Sequence, residues 1–130
     1  MRLKKMYLLL LEVMVVVKRK ALKTKEIYHC KGKMAYAEGE FTDDGMLVYK
    51  GGKCNLKETP TAGPWVVNRR KQLLKDGILN ESNGLLVFQE DYVFDSVSAA
   101  AAATVLARRA NGWKEWKNKN GKTLDTLKRK

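Results

Sequence analysis

Cysteine, proline and histidine are scarce in this chain of 130 residues, which has two cysteines, two prolines and one histidine. Cys30 and Cys54 lie in no C-x-x-C pair and cannot supply the disulfide framework of a small secreted domain, so free thiols in a reducing cytoplasm are expected. With His29 as the only histidine, a structural zinc site lacks a ligand; a His29-Cys30-Cys54 set would need a carboxylate to complete it. No metal or cofactor is expected. One histidine beside a linker also leaves serine and threonine hydroxyls without an evident general base. Long apolar runs are missing too. The best of them, residues 6–17, is broken by Glu12 and is too short to cross a bilayer, and no small-x-small cleavage site follows it, so neither a membrane span nor a signal peptide is predicted.

Charge is what the chain has in excess, with 26 Lys/Arg against 14 Asp/Glu and a net charge of +12. It is unevenly placed. Residues 1–33 carry ten basic and two acidic side chains, residues 96–130 nine and two, and the middle of the chain is slightly acidic. Such asymmetry favours a polyanionic partner, nucleic acid ahead of an anionic membrane surface, and the plainer reading of a solvated face with basic tails fits it equally well.

The length fits one domain, and the alternation of short strands with two longer helical stretches predicts an α+β fold. Residues 1–28 read as an apolar and basic extension, and residues 29–130 as the domain. The apolar part of the extension, 6–17, is expected to pack on the body as a strand or helix, with contact to a partner, a second copy or a membrane surface as the alternative. From Ala35 a β-meander is predicted: strands near 35–41, 46–49 and 53–56, with turns at Thr42-Asp43-Asp44-Gly45 and Gly51-Gly52. Pro64 suits the first position of a helix over 65–76 that Gly77 stops. Arg70 falls within the apolar arc of that helix. Either its stem packs while its head pairs with a carboxylate, or that face lines a groove for an anion. Residues 78–88 read as a hairpin and 92–94 as a strand.

The most pronounced local signal is D-S-V-S-A-A-A-A-A-T-V-L-A-R-R-A-N-G-W-K-E-W (95–116). Ser96 is placed as an N-cap, alanine is the best helix former, Arg108 and Arg109 fall in the last turn, and Asn111-Gly112 reads as the stop. Trp113 to Lys117 then fits a strand, which would point Trp113 and Trp116 to opposite faces and leave one exposed. Residues 123–128 read as a short helix or strand. Glu115-Trp116-Lys117 is an E-x-K tripeptide with Asp91 and Asp95 upstream, a superficial match to metal-dependent nucleases. An alanine helix intervenes where that architecture needs adjacent strands, so the domain is expected not to be an enzyme.

Several runs in order carry a family likeness: A-E-G-E-F-T-D-D-G (37–45), V-Y-K-G-G-K-C (48–54), T-P-T-A-G (59–63), E-D-Y-V-F (90–94), S-V-S-A-A-A-A (96–102), A-N-G-W-K-E-W-K (110–117) and G-K-T-L (121–124). Together they resemble domain-of-unknown-function family 4357 over about residues 30–128. The serine-alanine run with N-G-W-x-x-W is also similar, more loosely, to the restriction-and-adenine-methylase-associated domain. Val97 stands where the family has proline. The first resemblance implies a module found alone or behind GIY-YIG nuclease domains and in restriction-associated proteins, while G-I-Y and Y-I-G motifs do not occur here. The expectation is a non-enzymatic module that binds nucleic acid, DNA in preference to RNA. Its contacts would be Arg108, Arg109, Lys114, Lys117, Lys119 and Lys122, with Trp116 stacking on a base and Arg69, Arg70 and Lys71 forming a second strip. The alternative is a protein-interaction or oligomerisation module docking on a nuclease, a methylase or its own copy through residues 6–17.

Overall fold

The computed structural model describes residues 26–128. They form an antiparallel sheet with helices packed on one face, the expected α+β class. Strand β2 (Tyr36–Thr42) is the hub. On one edge it pairs with β1 (Tyr28–Lys31), and on the other with β3 (Gly45–Val48) and then β4 (Lys53–Asn55). β3 and β4 share an edge because the intervening turn at residues 49–52 bulges out while Tyr49 N–H still donates to Glu38 O. A bulge of this kind bends a strand and raises its twist. The outer edges therefore diverge: β3 pairs with β7 (Tyr92–Phe94), and β4 pairs with β6 (Leu85–Phe88), which pairs with β5 (Leu79–Ser82). Asn83 and Gly84, both at positive φ, close the β5–β6 hairpin in the manner of a two-residue turn.

Alternation decides which face is buried. In β2 Ala37 and Gly39 face in while Tyr36 and Glu38 face out, and the partners Cys30, Met46, Val48, Cys54, Leu86, Phe88 and Phe94 complete the inner face. Onto it pack helix α1 (Pro64–Lys75), helix α2 (Val97–Ala100) with the π-helical segment Ala101–Leu106, and the short helices α3 (Gly112–Glu115) and α4 (Leu124–Lys128). α1 runs as read, with Pro64 in its first turn and Gly77 at φ 76° just beyond it.

The alanine-rich stretch departs from the single helix expected over 96–110. After α2 the backbone widens into the π segment and stops at Ala107, which is buried and left-handed at φ 55°, ψ 36°. Tertiary hydrogen bonds account for the early stop. The Leu106 and Ala107 carbonyls accept from Asn55 Nδ2 and Thr59 N–H, partners supplied by the end of β4 and the chain that follows it. Helix-end carbonyls with such partners need no further helical turn. Arg108 and Arg109 consequently follow the helix and do not lie in its last turn.

The strand expected at Trp113 to Lys117 is likewise corrected to α3, with only Lys117 joining the sheet edge through paired backbone bonds to His29. Asn111 is no stop. Its Oδ1 accepts from Trp113 N–H and begins the new helix. α3 and α2 then meet in a dense joint. Ser96 Oγ caps α2 by accepting from Ala99 N–H, Ser98 Oγ accepts from Gly112 N–H at 2.9 Å, and Trp116 Nε1 donates to Val97 O at 3.1 Å. A Cβ on residue 112 would lie 2.1 Å from Val97 O, so only glycine fits. Trp116 is wholly buried there.

The apolar run at 6–17 lies outside the described residues. Among those described, no helix is long and apolar enough to cross a membrane. The joint gives graded expectations for urea unfolding: Gly112→Ala should lower stability by about 3 kcal/mol through backbone overpacking, and Asn111→Ala by about 1 kcal/mol through the lost cap.

Candidate nucleic-acid interface

The residues expected to form a basic surface and a second basic strip are placed in different roles. Arg69, Arg70 and Lys71 step round α1 by about 100° each, so they point three ways and form no strip. Arg70 turns inward and is 1% exposed. Its guanidinium donates to the Asn55 and Leu56 carbonyls at the end of β4 and sits 3.8 Å from Glu58. Burial lowers its pKa from the ordinary value, opposed by the nearby Cys54 and Glu58. Of the two readings left open for Arg70, packing with a carboxylate at its head describes the structure, and the backbone carbonyls take the larger share. It clamps α1 to the loop that caps the π segment. A phosphate contact for Arg70 is therefore corrected.

Trp116 is corrected in the same way, since its ring is in the core and its N–H is committed to Val97 O. The half-buried tryptophan of this region is Trp113, edge-on to Phe41 at 5.5 Å. Arg108 is tethered by Glu115 at 3.5 Å and by its own donation to Arg109 O. Among the described residues no three His, Cys, Asp or Glu side chains come together as a metal site, and Asp91 Oδ1 accepts from Lys50 N–H. The cysteines and the histidine diverge as well. Cys30 and Cys54 are in the core, while His29 stacks on Tyr36 at the outer face with ring centroids 5.9 Å apart.

Among the expected contacts, exposed cations mark two places. One is the turn after α3, where buried Asn118 accepts from Asn120 N–H and Lys122 N–H, donates to Glu26, and closes a further bond from Gly121 N–H to its own carbonyl. This fixed turn presents Lys117, Lys119 and Lys122 to solvent; Lys114 is exposed on α3. The other place is the start of α1. Its N-cap is Gly63, at φ 90°, with no side-chain cap and no acidic residue in the first turn. Exposed Arg109 lies against it: a Cβ at Gly63 would be 3.5 Å from Arg109 Nη2 and 3.9 Å from Trp65 Cδ1. A helix start without a side-chain cap, the positive end of the helix dipole and a guanidinium thus coincide.

Trp65, 47% exposed, leads from that corner into a groove of about 550 Å³ lined by Trp65, Asn68, Arg69, Gln72, Asp95 and Ala99. Arg69 is held over the Tyr92 and Phe94 rings at 5.9 and 5.6 Å and donates to Tyr92 OH, while its enclosed Nε meets no acceptor among the described residues. Trp65, Asn68 and Gln72 were missed in the sequence, and Asp95 was read there only beside the E-x-K tripeptide. The signal was there: spacings of three and four on the solvent side of α1 place the first three, with Arg69, within an arc of about 100°.

An antiparallel sheet hubbed on β2, backed by a serine, asparagine and tryptophan joint, defines a small α+β domain. The model of the domain of unknown function DUF4357 matches residues 28–128, and the chain belongs to that family. No curated protein and no solved structure matches the chain. The joint accounts for two of the sequence runs at once, S-V-S-A-A and N-G-W-K-E-W, because each supplies the other's hydrogen-bond partners.

Two outcomes follow from the buried groups. Arg70→Met should cost about 3 kcal/mol in urea unfolding by orphaning two buried carbonyls, with binding by the folded protein unchanged. Burial pushes both thiols up to about 12. Since a thiol below its pKa is protonated and poorly nucleophilic, neither cysteine should react with a disulfide reagent at pH 8 until urea unfolds the chain.

Proposed function

We propose that this domain is a non-enzymatic nucleic-acid-binding module, with DNA the principal ligand. The observation that carries the reading is the corner where exposed Arg109 rests on the uncapped N-terminus of α1 beside exposed Trp65. A phosphate oxygen placed there meets backbone N–H groups, a helix dipole and a forked cation together. The lysine turn at 117–122 adds further phosphate contacts. The reading keeps the exposed Arg109, Lys114, Lys117, Lys119 and Lys122 as phosphate contacts and takes exposed Trp65, in place of buried Trp116, as the aromatic partner. The described residues hold 16 Lys/Arg and 13 Asp/Glu, so the attraction there is local. Much of the chain's positive charge lies in residues 1–25 and adds a longer-range pull. Service within a restriction or nuclease system, beside a nuclease or methylase, is the setting the family resemblance implies.

A protein-docking role is the second reading, favoured by the side chains of Ile27, Met34, Tyr36 and Val93, which are exposed on or beside the outer face of the sheet. A monomer in sedimentation that binds no other protein but keeps its DNA affinity would count against it.

Binding to a DNA oligonucleotide should weaken as salt rises, and Arg109→Ala should weaken it further while lowering the log–log salt slope by about 0.7–0.9 for the one phosphate lost. Fluorescence anisotropy at several salt concentrations measures both. Absence of binding at low ionic strength would remove the proposal.

A further inference from the structure

Phosphate contacts leave the groove beside α1 without a role, and its chemistry differs from that of the basic corner. It holds one cation and one anion, Arg69 and Asp95, so it has no net charge to offer a phosphate. It is lined instead for a flat, neutral group with hydrogen-bonding edges. Trp65 supplies an exposed aromatic face, and Ala99 a small surface opposite the helix. Asn68 can donate or accept, whereas Gln72 has its amide nitrogen committed to Asp76 at 3.0 Å and has its carbonyl oxygen as the remaining acceptor. Arg69 is held at the groove wall by its bond to Tyr92 OH and by the Tyr92 and Phe94 rings, so its charge has a fixed position there.

We propose that this groove is a base pocket that takes one unstacked guanine of a bound strand, laid on Trp65 between the Arg69 guanidinium and the Asp95 carboxylate. The proposal rests on the nucleic-acid reading given above and names what that reading selects. Guanine carries two acceptors, O6 and N7, on the edge that an arginine reads, and two donors, N1–H and the exocyclic amine, that suit the two oxygens of a carboxylate. Adenine would turn the lone pair of N1 toward Asp95. Pyrimidines offer one ring to the indole where purines offer two. In a duplex the donor edge of guanine is occupied by cytosine, so the pocket requires a single strand or an extruded base. The Gly63 contacts put Arg109 and Trp65 within the span of one nucleotide, with phosphate on the first and base on the second.

The test uses the full chain and two labelled oligonucleotides, a short oligothymidylate and the same strand with one central deoxyguanosine, read by fluorescence anisotropy. In parallel, guanosine and adenosine monophosphates are titrated and followed by amide NMR shifts. The guanine-containing strand should bind roughly tenfold tighter, the size of one good bidentate contact. Asp95→Asn should abolish that ratio and leave oligothymidylate affinity unchanged. Trp65→Ala should weaken both strands, by roughly tenfold for the guanine strand. Both side chains are exposed, so unchanged melting temperatures will separate these effects from unfolding. Equal affinity for the two strands in the unaltered protein overturns the pocket and leaves the nucleic-acid reading standing. Shifts around Trp65 and Asp95 with guanosine monophosphate alone, without binding of either strand, uphold the pocket and overturn that reading. No response to any ligand overturns both.

Discussion

The Val97 carbonyl is the point on which the helical layer depends. It lies against Gly112 so closely that no side chain fits between, and it accepts the indole N–H of Trp116 from the far end of the same short helix. Ser98 and Asn111 complete the arrangement with bonds to the Gly112 and Trp113 amides. Backbone groups at the start of one helix are thus satisfied by side chains near another, which answers the general demand that buried polar groups be paired. The largest core side chain is positioned by the same atoms. Fixing α3 in this way also sends Lys117 to the sheet edge beside His29, so the exposed lysine turn is a consequence of a buried contact.

A second clamp, Arg70, does comparable work on the other side. It joins α1 to the carbonyls at the end of β4, and the adjoining chain donates to the last carbonyls of the π segment. A cation is an expensive way to close a core, tolerable because its donors meet oxygen. The clamp orients α1 so that its opposite arc, with Trp65 and Asn68, faces solvent. Core and groove are therefore two sides of one helix, fixed by a single buried guanidinium.

Much of this architecture was legible in the sequence because local chemistry announced it. Pro64 and Gly77 bracket α1, Asn83-Gly84 turns the β5–β6 hairpin, and alternation at 35–41 marks β2. The stretch after Ser96 was legible only at its start. Alanine reports a preference for helix and nothing about where tertiary partners will end it, and those partners, Asn55 and Thr59, lie about fifty residues away. Trp113 to Lys117 misled because a period of two and a single helical turn fit the same few residues. Net charge singles out Arg109 and the lysines at 114, 117, 119 and 122, which are exposed, and Arg70 alike, although the charge of Arg70 is spent on the backbone. Asn68 and Gln72 carry no charge, which is why a search led by basic residues passed over them.

Both ends of the described domain meet. Glu26 and Tyr28 share a small cavity with Lys128, Asn118 bonds to Glu26, and β1 is zipped to Lys117 by a pair of backbone bonds. The first and last described residues, remote from each other along the chain, are consequently neighbours on the body. Topologically the domain is a closed loop with a narrow neck. Such a unit can be set between adjacent residues of a host protein, or hung from either end of one, with little disturbance to the host's own fold.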